Sequence, residues 1–203
     1  MRLTLKITTL CNLSVFIFCF ISITVIGQKI SIETNSGNIE IQLFSDKAPN
    51  TVANFLQYVE DKVYDGASFY RVVRPNNQRP NQPHIEVIQG GIDADSLKRR
   101  PAIELERTSV TGLKHQDGTI SMARSTPNSA TSEFFICINE QPSLDFGGDR
   151  NPDLQGFAAF GKVTKGMKIV KKIQNGKTKL YPALGLNQRL VKEVKILRIR
   201  LID

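Results

Sequence analysis

The chain of 203 residues has few of the side chains that most catalytic centres require. It contains two histidines, three cysteines and no tryptophan. Neither His84 nor His115 has a Cys, Asp or Glu at the spacing of a metal site. The sequence also lacks a G-x-S-x-G elbow, a phosphate-binding glycine loop and a dinucleotide-binding fingerprint. These absences argue against a hydrolase, a kinase, a redox enzyme or a metalloenzyme. They favour a function that needs no nucleophile, metal or cofactor.

Residues 1–27 differ in composition from everything after them. Arg2 and Lys6 are their only charged residues, and the segment 13–26 is almost wholly apolar. A basic start, a short apolar core and small residues at its end are typical of a secretory signal peptide. The alternative is an uncleaved anchor, because the uncharged segment that begins at residue 7 is just long enough to span a bilayer. We therefore expect an exported domain of residues 28–203, periplasmic in a bacterium and membrane-attached only if the signal is retained.

Basic residues outnumber acidic ones, 27 against 19, which gives a formal net charge of +8. Loss of residues 1–27 removes two basic residues and no acidic one, and this lowers the net charge to +6. The basic residues are scattered and no nucleic-acid-binding motif accompanies them, so we expect a solvated surface and no nucleic-acid partner. We also expect a monomer. Cys137 is the one cysteine in residues 28–203, and its apolar neighbours predict a buried, unreactive thiol.

Short strands dominate the pattern of residues 28–203. Apolar and polar residues alternate over 30–33 and again, after a turn, over 39–43, which predicts an antiparallel hairpin with one buried face. A final alternating segment, 197–201, predicts a strand at the end of the domain. Five other apolar runs have strand length: 68–73, 86–90, 119–123, 133–138 and 156–163.

Two helices are predicted between these strands. Pro49 suits the first turn of one helix, and apolar residues recur from Val52 to Val59 at helical spacing. The second helix would be capped by Thr164 and would end at Asn175-Gly176. Two helices are too few for a repeating βαβ architecture, so the pattern predicts an antiparallel barrel or sandwich.

Several motifs together resemble the cyclophilin family of peptidyl-prolyl cis–trans isomerases, in the form that they have in its compact bacterial branch. They are LFSDKAPNTVANF (43–55), SFYRVV (68–73), VIQGG (87–91), GTISMARS (118–125), SATSEFFICI (129–138) and FAAFGKV (157–163). The resemblance implies a mainly β fold, a closed eight-stranded antiparallel barrel with one capping helix across each open end. It also implies a groove on the outer wall that binds proline-containing segments of client proteins, with no cofactor.

The resemblance also assigns candidate site residues. It makes Arg71 the catalytic cation, aimed at the prolyl nitrogen, and Gln89 the residue that orients Arg71 and donates to the substrate carbonyl. It places Phe135 at the floor of the proline pocket, on the opposite face of its strand from Phe134. The remaining substrate-binding candidates are Val87, Ala123, Arg124, Glu133, Leu144 and Phe157.

The sequence departs from the family pattern at several positions. Glu86 stands where the family usually has a pocket phenylalanine, which predicts a more polar pocket wall. The Pro- and Asn-rich loop 74–85 is an insertion, and it either replaces that wall or covers the groove. Glu133 stands in place of a glutamine and could pair with Arg71 or Arg124. Tyr70 occupies a position where many members have histidine.

The resemblance implies an isomerase that assists the folding of exported proteins. Rotation about an X-Pro bond crosses a barrier of roughly 18–20 kcal/mol and breaks no covalent bond, which fits the lack of nucleophiles. A non-enzymatic proline-peptide binding or chaperone module of the same fold is the alternative, because Glu86 and the insertion alter the pocket.

Overall fold

The computed structural model describes residues 27–93 and 96–203, so the predicted signal peptide lies outside the described residues except for Gly27. The strands of the described part are β1 Lys29–Thr34, β2 Gly37–Leu43, β3 Ser68–Val73, β4 Val87–Gly91, β5 Thr119–Met122, β6 Phe134–Cys137, β7 Ala158–Lys165, β8 Thr178–Tyr181 and β9 Leu186–Ile202. Its α-helices are α1 Pro49–Glu60, α2 Thr108–Thr111 and α3 Met167–Gln174. Within these residues no helix is long and apolar enough to cross a membrane.

The sheet closes on itself, and the predicted barrel is confirmed. Its strands follow the order β1-β2-β7-β5-β6-β4-β3-β9, and β9 pairs back onto β1. Every neighbouring pair is antiparallel. These eight strands form the barrel, and β8 pairs only with β9, outside the ring. Closure leaves each barrel strand paired on both sides, so the barrel itself has no free edge.

The barrel interior is filled by the apolar residues whose alternation predicts the strands. Ile30 and Ile32 of β1 are fully buried there, next to an aromatic group formed by Phe55, Tyr64 and Phe134. Side chains of α1 and α3 join the same core, so the two predicted helices are confirmed as its caps. The one-turn helix α2 was not predicted, since four residues give no helical period.

The first turns of the two capping helices are built differently from each other. Pro49 begins α1 as predicted, and the carboxylate of Glu106 accepts hydrogen bonds from the backbone amides of Asn50 and Thr51. Helix α3 begins after Gly166, not after Thr164 as the sequence predicts. Gly166 has a φ of +98°, and a Cβ there would lie 2.5 Å from the carbonyl oxygen of Asn38, so a larger residue does not fit.

The hairpin of β8 and β9 was not predicted. Strand β8 has only half-buried and exposed residues, so its sequence shows no apolar alternation. It pairs with the first part of β9 and extends the sheet beside β3, where Arg71 is opposite Arg189. The hairpin therefore brings residues 186–190 next to the predicted catalytic arginine, although more than a hundred residues separate them in sequence.

Candidate functional site

A groove of about 380 Å³ lies on the outer wall of the barrel. All of the site residues that the resemblance assigns line it: Arg71, Val87, Gln89, Ala123, Arg124, Glu133, Phe135, Leu144 and Phe157. The sequence did not predict the six other lining residues, which are Ile85, Arg99, Ser125, Ser129, Thr131 and Arg150. The structure thus brings the predicted residues together, and their roles in catalysis stay predictions.

One half of the groove is apolar. Phe135 is 5% exposed and contacts the edge of Phe157, with the ring centroids 5.4 Å apart. Val87 and Leu144 complete a small apolar cluster that is separate from the barrel core. Phe134, the neighbour of Phe135, faces the barrel interior. Strand alternation therefore assigns one of the two rings to the core and the other to the groove, as predicted.

Ile85, not Glu86, supplies the remaining wall of this pocket. Ile85 is 7% exposed and packs in the same apolar cluster. Glu86 accepts hydrogen bonds from the side-chain amides of Asn139 at 3.0 Å and Gln174 at 3.3 Å. It does not line the groove, and the prediction of a more polar pocket wall is wrong. The register places Glu86 on the opposite side of the chain from Ile85 and Val87, which both face the pocket.

The insertion 74–85 contributes to the site without covering it, because Ile85 is its one residue that lines the groove. The side chain of Gln78 braces the loop by donating to the carbonyl of Ile85 at 2.9 Å and accepting from its amide at 3.0 Å. Arg150 donates to Gln78 at 3.1 Å and to the carbonyl of Pro83 at 2.7 Å. Of the two alternatives left open by the sequence, the loop supplies the apolar wall.

This bracing predicts an effect of Gln78→Ala on substrate binding. Without the Gln78 amide, Ile85 loses two backbone hydrogen bonds, each of about 0.5–1.5 kcal/mol. We expect the affinity for a proline-containing tetrapeptide to fall about three- to tenfold, as measured by titration calorimetry. Gln82→Ala is the matched control, since Gln82 is exposed in the same loop. Equal affinities for the two variants would show that the bracing does not matter for binding.

A buried histidine that the sequence did not predict lies under the pocket. The His115 ring stacks on Phe135 with centroids 5.9 Å apart. Its Nδ1 is 2.8 Å from a carboxylate oxygen of Asp145, and its Nε2 is 2.9 Å from Oγ of Ser121. Burial lowers the pKa of His115, so the ring is neutral and accepts from Ser121. Ser121 is fully buried, so this serine–histidine–carboxylate group supports Phe135 and offers no nucleophile.

The polar half of the groove centres on Arg71. Its Nη1 donates to Oε1 of Gln89 at 2.6 Å, while Nε and Nη2 both donate to Oε1 of Gln188, at 3.0 and 2.7 Å. Gln188 is fully buried and donates in turn to the carbonyl of Asn77 in the insertion. Gln188 was missed because the contact depends on the β8–β9 hairpin and not on any local motif.

The charge of Arg71 is not neutralised by its surroundings. No carboxylate of the described residues forms an ion pair with it, and both of its side-chain partners are neutral amides. Burial lowers the pKa of Arg71 to about 10, so the guanidinium still carries its charge at neutral pH. A fixed, unpaired cation therefore faces the groove beside an apolar pocket.

Glu133 pairs with neither arginine that the sequence suggested. Its Oε2 accepts a hydrogen bond from the Tyr70 hydroxyl at 2.5 Å, and its Oε1 accepts from the backbone amide of Asp93 at 2.9 Å. Arg124 instead forms a two-point ion pair with Asp153, at 2.7 and 2.8 Å. Its guanidinium lies 5.0 Å from the centre of the Phe157 ring, so the Arg124 side chain also contributes to the pocket wall.

Comparison with known proteins identifies the family. The family described as "Cyclophilin type peptidyl-prolyl cis-trans isomerase/CLD" matches residues 29–201. A peptidyl-prolyl cis-trans isomerase of Acinetobacter baylyi is 36% identical over 177 residues, which cover 86% of each chain. Peptidyl-prolyl cis-trans isomerase B of Escherichia coli is 35% identical over 168 residues, 81% of this chain and 93% of the relative.

A solved structure shares the fold. It is a cyclophilin type peptidyl-prolyl cis-trans isomerase of Cryptosporidium parvum in the presence of the dipeptide Ala-Pro, with a TM-score of 0.67 and 23% identity. The match covers 87% of this chain and 99% of that one. With a family match over nearly the whole described part, a closed barrel, and a groove that joins an unpaired arginine to an apolar pocket, this chain belongs to the cyclophilin-type peptidyl-prolyl cis–trans isomerase family.

Proposed function

We propose that this isomerase assists the folding of exported proteins by rotating X-Pro bonds in its outer groove. The unpaired guanidinium of Arg71 beside the Phe135 pocket is the observation that carries the proposal. The alternative of a binding module without catalysis is not favoured, because relatives that match most of the chain are named as isomerases.

The apolar pocket supports the proposal on the substrate side. A proline ring has no amide hydrogen and needs an apolar site of its own size, which the rings of Phe135 and Phe157 provide together with Ile85. When the pocket holds the proline ring, the proline stays fixed and the residue before it turns as the X-Pro bond rotates. The pocket needs no nucleophile to do this.

Arg71 would supply the stabilisation of the twisted state. Twisting the amide ends its resonance and leaves a lone pair on the prolyl nitrogen, to which a nearby N–H donor with a positive charge can bind. The planar forms have no such lone pair, so the interaction favours the transition state over both ground states. Each ~1.4 kcal/mol of such preference raises the rate tenfold.

A refolding experiment tests the proposed function. The full chain is added to a denatured protein whose slow refolding phase is limited by prolyl isomerisation. We expect that phase to accelerate in proportion to the concentration of this protein, because extended unfolded chains fit an open groove. Acceleration on short Ala-Pro peptides without any effect on refolding would contradict a role in protein folding.

Export is tested separately. We propose that residues 1–27 direct secretion and are removed, which leaves the barrel as a free domain in the periplasm. Cell fractionation followed by N-terminal sequencing should find a chain that starts near Gln28 in the periplasmic fraction. A full-length chain in the membrane fraction would support the uncleaved anchor, and a full-length chain in the cytoplasm would contradict export.

A further inference from the structure

We infer that Glu133, acting through Tyr70, is a positioning residue for catalysis: its carboxylate fixes the direction of a hydrogen-bond chain that ends on Arg71. The inference rests on the proposed role of Arg71. It concerns two side chains, Tyr70 and Glu133, at positions where this sequence departs from the family pattern.

The hydrogen-bond chain from Arg71 to Glu133 consists of three consecutive hydrogen bonds. Arg71 Nη1 donates to Gln89 Oε1 at 2.6 Å. Gln89 Nε2 donates to the hydroxyl oxygen of Tyr70 at 2.9 Å. The Tyr70 hydroxyl donates to Oε2 of Glu133 at 2.5 Å. The Gln89 amide therefore presents its oxygen to the cation and its nitrogen to the tyrosine.

The charge of Glu133 dictates this direction. An ionised carboxylate can only accept hydrogen bonds, so the Tyr70 hydroxyl has to donate to it. The oxygen of Tyr70 is then left as an acceptor, and only the NH₂ end of Gln89 can satisfy it. The oxygen of Gln89 must consequently face Arg71, where a guanidinium needs an acceptor.

Loss of that charge reverses the chain. The backbone amide of Asp93 already donates to Oε1 of Glu133, so an added proton goes to Oε2 and is donated to the Tyr70 oxygen. The tyrosine hydroxyl then turns to Gln89, which must present its oxygen to the tyrosine and its NH₂ to Arg71. Two donors face each other, and Arg71 keeps only its contact with Gln188.

The surroundings of Glu133 allow this change within the range of ordinary pH. Burial raises the pKa of Glu133 to about 7, and the hydrogen bonds from Tyr70 and Asp93 oppose the rise. The charged groups that face it are Asp93, which raises the pKa, and Arg99, which lowers it. Arg189 of β9 forms an ion pair with Asp93 at 2.7 Å and lies 5.2 Å from the Tyr70 ring.

Tyr70 is suited to transmit the effect. Burial and the neighbouring carboxylate hold the pKa of its hydroxyl far above the usual range, so it keeps its proton and stays a donor. Tyr70 is 2% exposed, and its ring is held by Arg189 and Tyr181, while its hydroxyl has two hydrogen-bond partners, Gln89 and Glu133.

The test is the pH profile of kcat for the full chain on an Ala-Pro peptide. For the wild type we expect kcat to rise about tenfold as the pH increases through about 7, with little change in KM. The reason is that only the ionised Glu133 orients the hydrogen bonds so that the oxygen of Gln89 faces Arg71. The kcat of Glu133→Gln should be independent of pH and as low as that of the wild type at acid pH. The Asp93 amide donates to the oxygen of the new side-chain amide, which turns the NH₂ group toward Tyr70. Tyr70→Phe should also lose the inflection, and the double variant should be no slower than Tyr70→Phe alone.

Glu140→Gln is the matched control, because Glu140 is an exposed carboxylate outside the groove, and it should keep the wild-type profile. The side-chain amide resonances of Gln89 give a readout without substrate: they should shift through about pH 7 in the wild type and not in Tyr70→Phe. A Tyr70→Phe profile that keeps the inflection would mean that Glu133 acts through space, and a fully active Glu133→Gln would also overturn the inference. An inactive wild type at alkaline pH would instead refute the proposed function of the groove.

Discussion

Arg71→Ala is expected to lower kcat on X-Pro peptides about 100- to 1000-fold, the usual cost of removing one charged or polar donor that acts on the transition state. The loss should fall on kcat more than on KM, because the lone pair that Arg71 binds exists only in the twisted amide. The barrel should remain folded, since the hydrogen bonds of the Arg71 side chain go to Gln89 and Gln188, and Arg71 is not part of the apolar core.

Arg71→Lys separates charge from geometry. Lysine keeps the positive charge but cannot make the three donations that hold the guanidinium between Gln89 and Gln188, so we expect a rate between those of wild type and Arg71→Ala. A protease-coupled assay with an Ala-Pro tetrapeptide measures both rates. Arg79→Ala, at an exposed arginine outside the groove, should leave kcat unchanged. Wild-type activity in Arg71→Ala would remove the basis of the proposed mechanism.

Phe135→Ala is expected to abolish measurable binding of proline peptides and to lower the free energy of unfolding by about 3–5 kcal/mol. The ring is almost fully buried between His115 and Phe157, so its removal leaves a cavity and also opens the proline pocket. This loss is a large part of the free energy of unfolding of a typical domain, about 5–15 kcal/mol, so the variants should be measured at low temperature, where they stay folded.

Phe134→Ala is the matched control for this prediction. The two phenylalanines are neighbours on β6 and both are buried, but Phe134 packs in the barrel core against Phe55 and Phe69. Chemical denaturation should show similar losses of stability for both variants, whereas calorimetry should show lost peptide affinity for Phe135→Ala alone. If alanine prevents folding, the same comparison holds with leucine at each position. Equal peptide affinities for the matched variants would contradict the assignment of Phe135 to the pocket.

The barrel and the predicted groove residues were accessible from sequence because their signals are local. Alternating apolar residues predict each strand, and short motifs around Arg71, Gln89 and Phe135 carry the family resemblance. The structure adds that these residues share one groove, since β3, β4 and β6 are neighbours in the barrel. The bounds of the other predicted strands agree with the structure to within two residues, but β9 begins at Leu186, eleven residues before the predicted start at 197. Its first part has no regular apolar alternation that could have marked it.

The contacts that support the groove were not accessible from sequence. The position of the His115 ring depends on its hydrogen bonds with Asp145 and Ser121. Gln188 contacts Arg71 only because β8 and β9 fold beside β3. Ile85 was missed for a different reason: the family pattern assigns the pocket position to residue 86, whereas in the structure Ile85 faces the pocket and Glu86 does not. Polar partners far apart in sequence leave no periodic pattern, so tertiary contact alone reveals them.

The β8 strand has a consequence for a protein that handles extended chains. The barrel is closed, and β8 is the one strand of the described sheet that pairs on a single side. An unpaired row of backbone amides and carbonyls invites an unfolded chain to add as a further strand. Here that row is only four residues long and has Lys177 and Lys179 beside or within it. Such a short, lysine-bearing edge discourages the addition of a further strand, so the sheet edge does not compete with the outer groove for an extended peptide.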